Sequence, residues 1–279
     1  MRLRFRDWRR TTTAPAAPHP PSITSGWFDE RELEAIADRY DGFPLSNVSY
    51  ATVRDYADSI EHLSPLTTAQ GDLKDVQRPW TLKAILSSVP AGGRVLEIGG
   101  GQPYVADILA RLGYEVWLVD PYDGSGNGPI EYEAFKRGAP GVKFVRELFD
   151  DRLNDLPSAA FDCIYSISVI EHISQPKLAG VIAGMKRGLV SAGVSIHAID
   201  HVHLGHGAAE HLERLHFFTA ALGLSVESLD LILSAMSDDP ETYYLSAESH
   251  NRWRGTTPYD AFPMRVCVSV QLAGDAHAL

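Results

Sequence analysis

The chain has 279 residues, 44% of them hydrophobic, so it can bury one sizeable core and carry a smaller appended element. Its 25 lysines and arginines stand against 36 aspartates and glutamates, and the net charge of −11 argues against a nucleic-acid backbone as the main partner. The sequence has no apolar stretch of about 18 residues and no apolar segment near its start, which argues against a membrane or secreted protein and predicts a cytoplasmic one.

Residues 1–21 form a basic, proline-rich segment. Arginines alternate with apolar residues as far as Phe5, which is a period of two, and the prolines that follow interrupt any helix. A transit peptide would need an amphipathic helix here. We therefore expect a flexible arm.

Residues 22–90 show helical periodicity, with apolar stripes that predict helices over residues 33–40, 53–60 and 79–89. Proline suits the first turn of a helix, so Pro79 is expected to start the third one. We predict that these helices form a cap over the mouth of a ligand site, with structural support as the alternative role. Side chains that could reach a ligand from this cap are Tyr50, Arg78 and Trp80.

A strand, a glycine turn and a helix follow from Arg94 onward. Val95, Leu96 and Ile98 have the apolar character of a strand buried on both faces, and glycines occupy positions 99–101. Glycine lets backbone N–H groups approach a ligand, and the start of the next helix favours an anion. The sequence therefore predicts a site for a carboxylate or a phosphate at this turn.

The residues at the turn distinguish between cofactors. A dinucleotide-binding turn, G-x-G-x-x-G, would need a third glycine at Tyr104, and a P-loop lysine is also absent. The run Glu97-x-Gly99-x-Gly101, with Asp120 at the end of the second strand, resembles the first motif of class I S-adenosylmethionine-dependent methyltransferases. The resemblance implies that the helix start faces the methionine carboxylate and that Asp120 accepts from the ribose hydroxyls. The alternative for Asp120 is a cap of the turn that follows it.

A second stretch, residues 161–173, resembles the methyltransferase segment in which an aspartate starts the fourth strand and Glu-His follows its end. The resemblance covers roughly residues 91–199 and implies S-adenosylmethionine as the cofactor. Residues 148–150 lie where the family binds adenine. The implied cofactor site consists of Glu97, Gly99, Gly100, Gly101, Gln102, Asp120, Pro121, Leu148, Phe149, Asp150, Ser166 and Ser168.

The remaining pattern alternates helices and strands: helices over residues 130–138, 177–189 and 208–222, strands over 142–145 and 193–199, and a final hairpin of 241–246 with 263–272. Residues 249–262, between the hairpin strands, are a candidate for the substrate wall. We expect an α/β fold with a Rossmann-like sheet of seven strands, mostly parallel with an antiparallel last strand, plus the N-terminal helical cap. Residues 91–279 would form the methyltransferase-type domain.

Methyl transfer to a hydroxyl needs a base, and histidine suits this role because its unperturbed pKa is about 6.5. His172 follows the fourth strand and His201 the fifth, at strand ends that face the ligand crevice of an open α/β sheet. Either could instead be a structural residue at a helix start. Asp200, His201, His203 and His206 are metal-ligand types, but no spacing matches a defined zinc site, so we predict no metal.

Together, these features predict an S-adenosylmethionine-dependent methyltransferase of a small molecule, with a hydroxyl as the favoured acceptor. One alternative is an NAD(P)-dependent oxidoreductase, which Tyr104 disfavours. Another is a non-catalytic protein that binds S-adenosylmethionine. We expect neither nucleic acid nor membrane as a partner, and a homodimer stays open. The two cysteines, Cys163 and Cys267, are expected to be reduced and buried.

Overall fold

The computed structural model describes residues 22–67, 71–125, 128–205, 207–246 and 267–279. The helices are α1 (Glu30–Tyr40), α2 (Val53–His62), α3 (Lys74–Ser88), α4 (Tyr104–Arg111), α5 (Tyr132–Gly138), α6 (Gln175–Gly188), α7 (Ala208–Ala221) and α8 (Val226–Asp238). The strands are β1 (Val48–Tyr50), β2 (Arg94–Ile98), β3 (Glu115–Val119), β4 (Val142–Val145), β5 (Phe161–Ile167), β6 (Leu189–Val202) and β7 (Cys267–Asp275).

All seven strands form one sheet in the order β1-β7-β6-β5-β2-β3-β4. Every neighbouring pair is parallel except those made by β7, which runs against both β6 and β1. The predicted Rossmann-like sheet with an antiparallel last strand is therefore confirmed. β2, which precedes the glycine turn, lies at the centre of the sheet between β3 and β5.

Helices cover both faces of the sheet, as the alternation of side chains along β2 illustrates. Val95 points into one core with α3 and α4, whereas Leu96 and Ile98 point into the other with α6, α7 and α8. The first core includes Leu82, Ile85, Val105, Ile108 and Tyr165, and the second includes Phe161, Leu178, Met185, Phe218 and Leu229. Because β2 is buried on both faces, three of its five residues, Val95, Leu96 and Ile98, are apolar. Cys163 and Cys267 are buried and unpaired, as expected.

The segment before α1 is fastened to α4. The carboxylate of Asp107 accepts hydrogen bonds from the N–H and hydroxyl of Thr24 and from the hydroxyl of Ser22. One turn further along, Arg111 donates to the carbonyls of Thr24 and Phe28 at 2.8 and 2.6 Å. The N-terminal segment therefore rests on the helix that begins at the glycine turn.

Several elements differ from the sequence-based expectation. α3 begins at Lys74, so Pro79 lies inside this helix, where its missing N–H removes one helical hydrogen bond. The strand expected over residues 241–246 forms only isolated bridges, and β1 occupies the edge of the sheet beside β7. α8 was not predicted, and β6 is longer than expected.

Parts of the prediction lie outside the described residues, namely the arm over residues 1–21 and the segment over residues 249–262. Within the described ranges, no helix has the length and apolar character needed to cross a membrane.

Candidate functional site

A cavity of about 1270 Å³ opens at the carboxyl ends of β2, β3, β5 and β6, which is the edge where open α/β sheets bind ligands. The glycine turn, the start of α3 and the loop after β4 complete its wall. Most of the sequence-predicted site residues line this cavity: Glu97, Gly99, Gly100, Gly101, Gln102, Asp120, Pro121, Leu148, Phe149, Asp150, Ser168 and His172.

Two predicted site residues lie elsewhere. Ser166 is fully buried, and its hydroxyl pairs with Nδ1 of His197 at 2.8 Å. His201 is 2% exposed and lines a separate small cavity beside His211 on α7. β6 continues as far as Val202, so consecutive side chains point to opposite faces, and it is Asp200 that faces the large cavity.

The glycine turn has a shape that other residues would not fit. Gly99 and Gly101 have φ of 65° and 45°, in the left-handed region that favours glycine. A Cβ on Gly99 would lie 2.7 Å from Val169, and one on Gly100 would lie 2.5 Å from Leu118. The three glycines thus allow the turn to pack between the ends of the neighbouring strands.

Asp120 and the glycine turn form one hydrogen-bonded unit. The N–H of Gly101 donates to Oδ2 of Asp120 at 3.1 Å, and the N–H of Tyr122 donates to Oδ1 at 2.7 Å. The Tyr122 hydroxyl donates a hydrogen bond to the carbonyl of Gly101 at 3.0 Å. Burial raises the pKa of Asp120, and the two N–H donors oppose this rise. The carboxylate is therefore held in place at the cavity wall.

Glu97 supplies a second carboxyl group at the turn. Its side chain is 3% exposed, and its Oε2 accepts from the Tyr165 hydroxyl at 3.1 Å. Burial raises the pKa of Glu97 to about 8, although this hydrogen bond and the charge of Arg78 oppose the rise. A cationic ligand group beside Glu97 would favour the ionised form.

Arg78, on α3, brings a buried positive charge to the same turn. Its Nη2 donates to Oε1 of Gln102 at 2.7 Å, and its guanidinium lies 4.9 Å from the centroid of the Tyr104 ring. Tyr104 also packs against Trp27 with the ring centroids 4.7 Å apart. Burial lowers the pKa of Arg78, so an anionic ligand group here would stabilise its charge.

The cap residues considered for ligand contact divide into two groups. Arg78 lines the cavity, whereas Trp80 is a core residue and the Tyr50 hydroxyl donates to Asp239 at 2.7 Å. No sequence motif pointed to Lys74, although it lies in the first turn of α3 and lines the cavity.

The loop after β4 contributes apolar side chains to the wall of the cavity. Phe149 is buried, Leu148 is exposed, and Ile173 and Val181 face them from around α6. Asp150 is paired with Arg152 at 2.6 Å. A flat, apolar ligand ring would find suitable contacts between these side chains.

A polar wall occupies the β5–β6 side. The Ser168 hydroxyl donates to Oε1 of Gln77 at 2.7 Å, and Nε2 of Gln77 donates to Oδ1 of Asp200 at the same distance. His172 follows in the short 3₁₀ turn after β5 and also lines the cavity. Burial lowers the pKa of His172, so its imidazole is neutral at neutral pH and able to accept a proton.

Of the residues considered as metal ligands, Asp200, His201 and His203 lie in the described part of the chain. In the described part of the chain, no three side chains of His, Cys, Asp or Glu lie close enough to hold a metal ion. His206 lies outside that part.

Comparisons with known proteins agree with this arrangement. Residues 70–214 match the sequence model of a family described as "Methyltransferase domain". A curated protein from Talaromyces variabilis, an S-adenosyl-L-methionine-dependent Diels-Alderase, is 34% identical over 104 residues, which cover 36% of this chain and 35% of that protein. The chain thus matches about a third of the length of this curated relative.

Solved structures with a similar arrangement include three methyltransferases. The 1,6-didemethyltoxoflavin-N1-methyltransferase of Burkholderia thailandensis is 14% identical, with coverage of 80% of this chain and 86% of that one and a TM-score of 0.46. The geranyl diphosphate C-methyltransferase of Streptomyces coelicolor is 13% identical, with 88% and 98% covered and a TM-score of 0.43. The TehB-like protein of Corynebacterium glutamicum is 20% identical, with 58% and 79% covered and a TM-score of 0.38.

Proposed function

Because this chain belongs to the methyltransferase-domain family, we propose that it transfers the methyl group of S-adenosylmethionine to a hydroxyl of a small molecule. The methyltransferase family predicted from the sequence is confirmed by the match over residues 70–214. The observation that carries the proposal is that the glycine turn and Asp120 are hydrogen-bonded to each other and line the same cavity as Glu97 and Arg78.

The residues around the turn fit this cofactor. Glu97 would pair with the ammonium group of the methionine moiety, and Arg78 with its carboxylate, which also meets the start of α4. Asp120 would accept from the ribose hydroxyls, because each of its oxygens receives only one hydrogen bond from the residues that the structure describes. Leu148 and Phe149 would contact the adenine.

When bound, the cofactor would supply a methyl group on a positively charged sulfur, and the acceptor oxygen would attack that methyl carbon in line as the carbon–sulfur bond breaks and S-adenosylhomocysteine leaves. The protein mainly has to hold the acceptor and exclude water, and good orientation accounts for about 7–11 kcal/mol of barrier lowering in comparable reactions. Residues 22–90 would contribute as a cap, because Lys74 and Arg78 of α3 line the cavity.

His172 is the base in this proposal. Its imidazole is neutral at neutral pH and lines the cavity, so it would take the proton of the acceptor hydroxyl as the oxygen attacks. His201 does not line the large cavity. A general base contributes about 10²- to 10⁴-fold to the rate.

The test is a screen of hydroxylated small molecules with the purified protein and S-adenosylmethionine, read out as released S-adenosylhomocysteine. We expect turnover of at least one acceptor, and His172→Ala should lower kcat by about 10²-fold or more at unchanged cofactor affinity. His216→Ala is the control, because His216 pairs with Asp230 on the protein surface. Release at the blank rate with every acceptor would contradict the proposal.

A second candidate is a protein that uses bound S-adenosylmethionine without transferring its methyl group. The observation that favours it is the curated relative, which is named as an S-adenosyl-L-methionine-dependent Diels-Alderase. This candidate predicts that the cofactor binds tightly and is recovered intact after incubation with the same acceptors. Quantifying S-adenosylmethionine and S-adenosylhomocysteine after the screen separates the two candidates.

A further inference from the structure

Asp200 is a carboxylate of the cavity that the cofactor contacts proposed above leave unused. It lies at the end of β6, whereas Asp120 follows β3, and the sheet order places β2 and β5 between those strands. Three strand spacings separate them by about 14 Å. Since the glycine turn, Asp120 and Leu148 occupy the β2–β4 half of the cavity, Asp200 belongs to the half left for the acceptor.

Hydrogen bonds fix one oxygen of this carboxylate. Oδ1 of Asp200 accepts from Nε2 of Gln77 at 2.7 Å and lies 3.0 Å from the Ser168 hydroxyl, whose one proton is shared between Asp200 and Oε1 of Gln77. Ser168 and Gln77 are joined to each other as well, so the three side chains close a ring. Among the described residues, no hydrogen bond ends on Oδ2, and Asp200 is only partly buried. One oxygen is thus anchored, and the other can accept from a ligand.

The backbone of Ser168 is also unusual. Its φ is 51°, in the left-handed region, and its N–H donates to the carbonyl of Ala198 at 2.9 Å. Glycine would adopt this conformation without strain, so what serine adds here is its hydroxyl. That hydroxyl is the link between Gln77 and Asp200.

His172 and Asp200 face the same end of the cavity. The N–H of Asp200 donates to Oε1 of Glu171, the residue before His172, at 3.2 Å. The charge of Asp200 raises the pKa of His172 against the lowering by burial, which indicates that the two groups are close. Leu73 and Leu245 add apolar surface to the lining of the same cavity.

We propose that Asp200 binds a second hydrogen-bond donor of the acceptor, so that the acceptor carries another hydroxyl or an amino group besides the hydroxyl that faces His172. This inference rests on the proposed function, because it assigns the β5–β6 half of the cavity to the acceptor. Gln77 and Ser168 are positioning residues that aim Oδ2 into the cavity.

The test measures binding and needs no turnover. Wild-type protein saturated with S-adenosylhomocysteine is titrated with phenol and with catechol, resorcinol and hydroquinone, and binding is followed by saturation-transfer NMR. We expect at least one dihydroxybenzene to bind roughly 10-fold tighter than phenol, because a hydrogen bond to a charged group adds about that much. The isomer that gains most affinity over phenol indicates the distance between His172 and Asp200.

Asp200→Asn should abolish this gain. Nε2 of Gln77 donates to the Oδ1 position, so it holds the amide oxygen there, and the amide nitrogen that takes the Oδ2 position cannot accept a hydrogen bond. Phenol affinity and S-adenosylhomocysteine affinity should stay unchanged. Asp38→Asn, at an exposed position of α1, is the matched control.

Ser168→Gly tests the positioning role. It keeps the left-handed backbone conformation and removes the hydroxymethyl side chain, so we expect an equal or higher melting temperature together with a several-fold smaller gain for the dihydroxybenzenes. A merely structural Ser168 would leave the gain intact.

The proposal is overturned if no dihydroxybenzene binds wild-type protein better than phenol, or if the gain survives in Asp200→Asn. Failure of methyl transfer is a separate outcome, because it is read out by the release of S-adenosylhomocysteine. With an acceptor from the screen, Asp200→Asn should raise KM roughly 10-fold or more, and an unchanged KM counts against the assignment.

Discussion

Asp120 links two parts of the cofactor site, since its carboxylate accepts from the glycine turn and faces the cavity. Asp120→Ala should weaken binding of S-adenosylhomocysteine by about 100-fold, because it removes the partner of two ribose hydroxyls and leaves the N–H of Gly101 without this partner. Titration calorimetry measures the change. Asp123→Ala is the control, because Asp123 is an exposed acid of the same loop. Unchanged affinity in Asp120→Ala would remove the anchor of the cofactor assignment.

Glu97 predicts a coupling between binding and protonation. Its carboxyl group, with a pKa of about 8 in the free protein, holds a proton at pH 7, and the ammonium group of the ligand should displace that proton. We expect close to one proton to be released per S-adenosylhomocysteine bound at pH 7, and affinity that increases with pH until about 8. Calorimetry in buffers of different ionisation enthalpy measures the release, which Glu97→Gln should abolish.

The same shift has a defined sign for stability. The pKa of Glu97 is about 8 in the folded protein and 4.5 as a reference value, so the folded state binds more protons between these values. The contribution of Glu97 to stability is therefore full below about pH 4.5 and is lost as the pH rises through about 8. The Glu97→Gln variant should lack this part of the pH dependence of unfolding, measured in urea.

The sequence identified the residues of the turn but not the side chains that fix them. Glycine, glutamate and aspartate at the right strand ends indicate a cofactor site, because strand ends in a parallel sheet meet at one edge. Tyr122 adopts a left-handed backbone conformation that tyrosine rarely takes, so no local pattern predicts its role. Ser168, which the family resemblance implied for the cofactor site, lies beside Gln77 and Asp200. His201 looked equivalent to His172 until the length of β6 showed which face it occupies.

At the scale of elements, α4 joins the glycine turn at one end to the N-terminal segment along its side. Asp107 is 1% exposed and satisfies Thr24 and Ser22, so Asp107→Ala would leave their buried donors without this partner. We expect a loss of about 2–3 kcal/mol in the free energy of unfolding. Urea titration followed by circular dichroism measures it, with exposed Asp38→Ala as the control. A loss as small as in the control would show that this contact does not hold the segment.

Sequence periodicity missed β1 and the start of α3, and each omission has a physical reason. β1 has three residues, too few to show a period of two. It is a strand because it pairs with the edge of β7. α3 begins five residues before Pro79. Almost all of its residues are buried, so tertiary packing outweighs the hydrogen bond that Pro79 cannot make. β2, β5 and α7 were predictable because the two strands are mostly buried along their length and the buried residues of α7 recur at helical spacing.

At the scale of the whole molecule, the cavity draws residues from α3, β2, β3, β5 and β6, so a ligand there connects the N-terminal part to both halves of the sheet. A ligand that binds only the folded state at 100 times its Kd adds about 2.7 kcal/mol of stability. For a chain of this size the melting temperature should rise by roughly 5–10 °C with S-adenosylhomocysteine. Differential scanning calorimetry measures the shift.

Thermal stabilisation by NAD tests the oxidoreductase alternative. NAD and S-adenosylmethionine both need an acid for the ribose, but they place different groups at the glycine turn. A pyrophosphate at the glycine turn would meet the buried carboxyl group of Glu97, and the third glycine of a dinucleotide site is replaced by Tyr104, whose ring packs against Trp27 and Arg78. NAD at the same concentration should therefore leave the melting temperature unchanged. In Asp120→Ala, the ligand concentration that saturates wild type should stabilise by only about 0.4 kcal/mol, because its Kd is then close to that concentration. A shift with NAD that exceeds the shift with S-adenosylhomocysteine would reverse the cofactor assignment, since stabilisation follows affinity for the folded state alone.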